Sequence, residues 1–287
     1  MKRETPLAPL LMALFCILVW GLSFAVTRDV VRQIPPLTLA TLRFAIATAL
    51  LWVLTRNHRQ SVKAEDRIWL WALALTGISA YFAFENFGLQ LTTASHASLI
   101  IATIPLGTEL VWAWRRGQFP ETTSWLGALV ALSGIALLVG FESSGASVWG
   151  DLLMFGAVAS WIAYTFLVMR LAGRYPNLLL TRWIAFIGTI TLAPGAAVEM
   201  ALLPIGLPGP AAWGQVLFLG VACSALAYDL WNRAVPALGP TVINNLLYLI
   251  PLIGVFGGVV FLNEPVTPAL FFGGFLIFSG VFLARRG

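Results

Sequence analysis

Two carboxylates stand inside otherwise apolar stretches of this chain: Glu85 in Tyr81-Phe82-Ala83-Phe84-Glu85-Asn86-Phe87, and Asp229 in Ala227-Tyr228-Asp229-Leu230-Trp231. A charge in such a run is expensive to bury, and the chemistry it offers there is proton binding or neutralisation of a cationic group. Aligning Gly77 with Gly220 brings the two within a residue of common register. Asp229 has Arg233 one helical turn away, which favours a local ion pair, whereas Glu85 has no partner at that spacing. Glu85 and Asp229 are the candidates for carrying a coupled proton, Glu85 being the better placed.

Polar and aromatic residues recur around these acids at three- and four-residue spacing. Lipid gains nothing from them, so such stripes mark helix faces turned toward protein or a cavity. Trp20, Ser23, Phe24, Tyr81, Glu85, Ser98, Trp161, Tyr164, Tyr228, Asn232, Asn244, Asn245 and Tyr248 are read as the lining of a substrate site. Aromatic walls supply area and the amides fix orientation, which suits a small, partly apolar solute with hydrogen-bonding groups. Helix packing and interfacial belts account for any one of these residues; the set favours a cavity.

Other chemistries find no support. There is no Gly-rich phosphate loop with its lysine and no Cys/His cluster at metal spacing, and the two histidines, His58 and His96, lie far apart. No cofactor, metal or enzymatic activity is expected. A lipid-modifying enzyme would need clustered acids, histidines or a nucleophile near one interface, and the acids here are scattered. Cys16 and Cys223 both fall in apolar runs and read as buried thiols.

The elements that must position the candidates follow from composition. Of the 287 residues, 59% are hydrophobic and 10% charged, and the mean hydropathy is +0.88. A soluble fold cannot hide that much apolar surface; a bilayer does not require it to. The net charge of +5 is the kind a membrane protein accumulates in cytoplasmic loops, so no nucleic-acid partner is expected. Apolar runs long enough to cross the hydrocarbon recur at 8–27, 36–54, 68–91, 94–114, 122–141, 148–169, 178–201, 211–232, 238–262 and 266–284. Asn263-Glu264-Pro265 must then serve as a tight turn. The first run follows Lys2 and Arg3 but lacks a small-residue cleavage site, and is read as a retained span.

Basic residues orient these spans. The N-terminus, the even-numbered loops and the C-terminal tail carry 13 of the 17 Lys and Arg residues, and the opposite loops hold only Arg28 and Arg32. The positive-inside bias places both termini in the cytoplasm.

The spans repeat. Pro105 to Leu137 aligns without gaps on Pro251 to Leu283, sharing Pro-Leu, Gly127 with Gly273, Ser133-Gly134 with Ser279-Gly280, and the final Leu. Five spans per half is an odd number, so the second half, 144–287, must enter the membrane inverted relative to the first, 1–143. The fold class is an all-α integral membrane protein with ten transmembrane helices as two inverted five-helix repeats. Arg43 and Arg182 sit toward opposite ends of spans two and seven, as inversion requires; each reads as snorkelling or structural pairing in preference to solute contact. Pro105 and Pro251, the repeat-related pair, are candidate hinges. Glu199 and Asp151 read as interfacial, and the span glycines as close packing within one chain, with a homodimer as the alternative.

Trp20-Gly21-Leu22-Ser23-Phe24, Arg43-Phe44, Ala94-Ser95 through Ser98-Leu99-Ile100 to Pro105-Leu106, Gly150-Asp151-Leu152-Leu153 with Ser160-Trp161 and Tyr164, and Leu262-Asn263-Glu264-Pro265 before Gly274 and Gly280 together resemble EamA-type members of the drug/metabolite transporter superfamily. The resemblance covers nearly the whole chain. It implies a secondary transporter with a central cavity between two halves, of a kind known mostly as bacterial exporters of amino acids and other metabolites. One departure is that Gly117-Gln118 faces Asn263-Glu264 across the repeat where the family has an acidic turn in both halves, with Glu121 nearby. Glu264 therefore reads as a structural turn or a helix N-terminal charge. The expectation is a multi-pass protein of the cell inner membrane that exports small metabolites by alternating access. A passive facilitator or channel is the alternative.

Overall fold

The computed structural model describes residues 7–57, 61–115, 117, 122–140, 146–171, 173–203, 208–238 and 246–284, and every regular element among them is helical. The helical segments are α1 (Leu7–Val30), α2 (Pro36–Leu54), α3 (Ala64–Leu91), α4 (Ala94–Arg115), α5 (Thr122–Gly140), α6 (Val148–Leu171), α7 (Asn177–Leu202), α8 (210–238), α9 (Ile250–Leu262) and α10 (Pro268–Ala284). Seven are long and apolar enough to cross a membrane, and α5, α9 and α10 contribute shorter apolar helices. The outer surface is itself apolar: Leu11, Leu18, Phe256, Phe271 and Phe275 are all exposed. Water would penalise such a surface, whereas hydrocarbon does not.

Boundaries follow local chemistry. Pro36 opens α2 where a missing N–H costs nothing. Asn263 closes α9 in the left-handed region at φ 53°, and Glu264 N–H returns to Gly258 O at 3.1 Å, which makes the tight turn expected at Asn263-Glu264-Pro265. The expected break between 232 and 238 is absent. The helix of α8 runs on to Leu238, with an Arg233–Asp229 ion pair of 2.6 Å one turn apart along it.

Four interruptions matter for the site. α3 and α8 each contain a π-helical stretch, Leu75–Ala80 and Leu219–Leu226, around the aligned glycines Gly77 and Gly220. α4 breaks at Ala102-Thr103 and restarts at Ile104, so Pro105 is the second residue of the new helix. α9 likewise starts at Ile250 after a turn at Tyr248-Leu249, with Pro251 second.

The helices pack α2 on α7, α4 on α9 and α5 on α10; α3 on α6 and α8 on α1; α1 on α9 and α6 on α4; α2 on α8 and α7 on α3. Exchanging each helix with the one five later maps this pattern onto itself. The α5–α10 crossing is close because a Cβ on Gly134 would stand 2.6 Å from Gly273 O, while one on Gly280 would strike Gly127 O and Ala131 N. Gly134 and Gly280 are two of the residues that carry the repeat. Their identity is explained by helices that touch backbone to backbone.

Candidate functional site

Where α1, α2, α3, α4, α6, α8 and the start of α9 converge, they enclose a narrow cavity of about 40 Å³, room for a few water-sized groups. Its lining combines Trp20, Ser23, Phe24, Tyr81, Phe82, Trp161 and Tyr228 with the charged pair Arg43 and Glu85, and with Ile101, Ile104, Leu247 and Ile250. Of the residues expected at a substrate site, Trp20, Ser23, Phe24, Tyr81, Glu85, Trp161 and Tyr228 are brought together here. The ring centroids of Trp20 lie 6.1 Å from Trp161, 5.8 Å from Tyr228 and 5.0 Å from Trp231, and Tyr81 lies 5.2 Å from Trp161. These are edge-on and tilted contacts of the kind that aromatic quadrupoles favour.

The two π-helical stretches position the walls. A widened turn loosens the i→i−4 ladder and leaves carbonyls for side chains. Gly77 O in α3 accepts from the Tyr228 hydroxyl of α8 at 3.3 Å, and Cys223 O in α8 accepts from the Trp20 indole of α1 at 2.9 Å. Each interrupted helix thus anchors an aromatic donated by another.

Arg43, read as snorkelling or structural pairing, is paired inside the protein. It does not snorkel: it is 1% exposed. Its Nε donates to Ser224 Oγ at 3.0 Å, and its guanidinium stacks 4.3 Å from the Phe82 ring. Its Nη1 approaches Glu85 Oε2 no closer than 3.9 Å and makes no hydrogen bond. Glu85 accepts from the Tyr81 hydroxyl at 3.2 Å, one helical turn away. Its partners were thus a tyrosine on its own helix and a cation from another span. The charge of Arg43 inside an apolar run was the signal that could have placed it here; the apolar lining residues gave none.

The remaining expected residues lie elsewhere. Ser98 is buried and donates to Ser95 O at 2.9 Å, while Tyr164 packs its ring on Gly77 behind Trp161. Asn232 donates to Thr181 Oγ1 at 3.0 Å, tying α8 to α7. Tyr248 is half-buried in the turn before α9; Asn244 and Asn245 lie outside the described residues. Asp229 is buried beside Arg233, away from the cavity lining.

At the end opposite the basic loops, Glu199, read as interfacial, is buried and caps a helix, and Glu264, read as a turn or helix N-terminal charge, is half-buried and caps another. Glu199 accepts Leu37 N–H at 3.0 Å, Thr38 N–H at 2.7 Å and Thr38 Oγ1 at 2.9 Å, at the start of α2. Glu264 accepts Ala94 N–H at 2.7 Å, Ser95 N–H at 3.0 Å and Ser95 Oγ at 2.6 Å, at the start of α4. Both satisfy orphan donors and oppose a positive dipole end. Asp151 accepts from Thr92 Oγ1 at 2.5 Å and meets His96 Nδ1 at 3.2 Å. At the basic end Asp66 takes the Tyr175 hydroxyl at 2.7 Å and Arg174 at 2.8 Å, and Arg182 donates to Thr55 Oγ1 at 2.9 Å. Among the described residues no group of three or more His, Cys, Asp or Glu is arranged to hold a metal.

The model of the EamA-like transporter family matches residues 7–140 and 148–286. A protein named as an uncharacterised transporter in Archaeoglobus fulgidus is 29% identical over 96% of both chains. A probable terminal-alkyne amino-acid exporter of Streptantibioticus cattleyicolor is 30% identical over 87% of this chain and 82% of its own. A crystal structure with no functional name, 24% identical, has a TM-score of 0.67 over 99% of each chain and speaks for the fold alone.

Proposed function

The chain belongs to the EamA-like transporter family, and from that premise we propose that it is a secondary active exporter of small metabolites such as amino acids, working by alternating access at the cavity around Arg43 and Glu85. It is a multi-pass membrane protein and a transporter of small molecules, not an enzyme. The observation that carries the finer reading is the cavity itself: a fully buried charged pair inside an aromatic cage, at the junction of seven helices. Hydrocarbon offers no reason to maintain such a pair unless something polar passes through it.

Two inverted halves, 1–143 and 144–287, rock about this site. The self-mapping packing pattern, the paired π-helical stretches and the paired breaks before Pro105 and Pro251 support that reading, as does a family match on each half. Those prolines are the hinges. With the basic loops on the cytoplasmic side of the inner membrane, the Glu199 and Glu264 caps close the outer end. The named exporter among the relatives supports amino-acid substrates.

Reconstitution into proteoliposomes tests this with labelled amino acids, amines and organic acids. Saturable flux with trans-stimulation is the expected result; a channel would give flux without counterflow, and no saturable flux for any of them would overturn export. Coupling runs through Glu85, with Asp229 tied to Arg233. Glu85→Gln should flatten the pH dependence of transport, and an unchanged rate and pH profile would remove Glu85 from that role.

A further inference from the structure

The cavity holds one buried cation and one buried anion that are not joined by a hydrogen bond. Arg43 is clamped at Nε by Ser224 and on its face by Phe82, which leaves Nη1 directed at Glu85 across 3.9 Å with no hydrogen bond. Glu85 is clamped through Oε1 by Tyr81 and presents Oε2 to the same gap. A buried guanidinium with an unused donor is costly, and a hydrogen-bonded partner is the remedy.

We infer that the cavity selects a zwitterion: the carboxylate of the ligand takes the free Nη1 of Arg43, its ammonium group takes Glu85 Oε2, and its apolar remainder lies among Trp20, Tyr81, Trp161 and Tyr228. This rests on the transport reading and specifies its substrate class. Charge balance carries the choice. Arg43 and Glu85 cancel, so an anion alone leaves the site net negative beside Glu85, and a cation alone leaves it net positive beside Arg43. Either would add a net charge deep in the hydrocarbon layer. A ligand with adjacent opposite charges adds none, and it converts one loose pair into two hydrogen-bonded ones. The aromatic walls, which now touch one another, must part to admit its side chain. Ser224 and Phe82 hold Arg43 in place while the walls part.

The test uses the full-length wild-type protein and two matched sets: L-phenylalanine, phenylalaninamide, 3-phenylpropionate and phenethylamine, and L-leucine, leucinamide, 4-methylpentanoate and isoamylamine. Thermal shift in detergent reads binding, and competition against counterflow in proteoliposomes reads transport. In at least one set the zwitterion should outcompete every single-charge analogue by about tenfold or more, the loss expected when one charge-assisted bond is removed. In Glu85→Gln, which keeps the size of the side chain, the zwitterion should weaken about tenfold while the acid analogue gains, since its repulsion is relieved. Equal competition by an amide or acid analogue, or full discrimination retained in Glu85→Gln, overturns the inference. Flux of single-charge solutes without the zwitterions would sink it while sparing the transporter; silence from every compound by both readouts would sink both.

Discussion

Replacing Gly134 by alanine tests whether the repeat was kept by helix contact. The new Cβ would lie 2.6 Å from Gly273 O, 2.8 Å from Ile277 N and 2.9 Å from Leu276 Cβ. Carbon needs about 3.5 Å from such neighbours, so α5 and α10 must separate by roughly 1 Å. Two of the three obstacles are backbone atoms, which cannot rotate aside. A gap of that size forfeits a quarter to a half of each dispersion contact along the seam, and dispersion is the chief attraction between helices in lipid. The cost should fall near the upper end of the overpacking range, about 3 kcal/mol. Gly280→Ala should cost as much, because its Cβ would meet Ala131 N and Gly127 O. The double mutant should cost less than the sum by at least about 1 kcal/mol, since the first methyl has already opened the space needed by the second. Gly274→Ala is the internal control. On the same helix its Cβ would meet only Leu99 methyls at 3.6 and 3.7 Å, so it should be neutral or gain about 0.5–1 kcal/mol from helix propensity. Reversible unfolding in mixed micelles measures all four proteins. Equal stabilities for Gly134→Ala and Gly274→Ala, or strict additivity in the double mutant, would refute the reasoning.

Three other outcomes follow from the caps and breaks. Glu264→Gln removes the charge facing the N-terminus of α4 and should cost about 1–2 kcal/mol in the same assay; a change within error would mean that the Ala94 and Ser95 donors find another acceptor. At the basic end Tyr175→Phe should destabilise more than Arg174→Ala, although both side chains serve Asp66, because the Tyr175 bond is buried and the Arg174 side chain is 57% exposed. The reverse order in thermal unfolding would overturn that ranking. Pro105→Ala and Pro251→Ala, at the second position of their helices, should each change stability by less than about 1 kcal/mol while slowing counterflow several-fold; unchanged counterflow in both would remove the hinge reading.

Residues whose cost depends on the bilayer were legible from the chain. Glu85 stood out because a carboxylate in an apolar run is expensive wherever that run packs, and it does line the cavity. Arg43 stood out for the same reason and read as snorkelling or structural pairing, since a long side chain near a span end has the first route in the absence of neighbours. Ser224 and Phe82, from two other helices, close it. Asn232 shows the converse: its spacing behind Tyr228 suited the cavity, but Thr181 of α7 was the nearer partner and turned its amide outward.

The amino-acid sequence by itself determined a helical membrane protein, its basic and non-basic ends, and the recurrence of Pro105 with Pro251 and Gly134 with Gly280, because hydropathy, loop charge and backbone clearance act locally. Only the tertiary structure decided which helix faces meet. A stripe of polar residues defines a direction around one helix axis and says nothing of what stands across from it. The cavity exists because π-helical turns around Gly77 and Gly220 free carbonyls for Tyr228 and Trp20, and because Arg43 reaches toward Glu85 without joining it. Each of these is a relation between helices, with partners up to 203 positions apart.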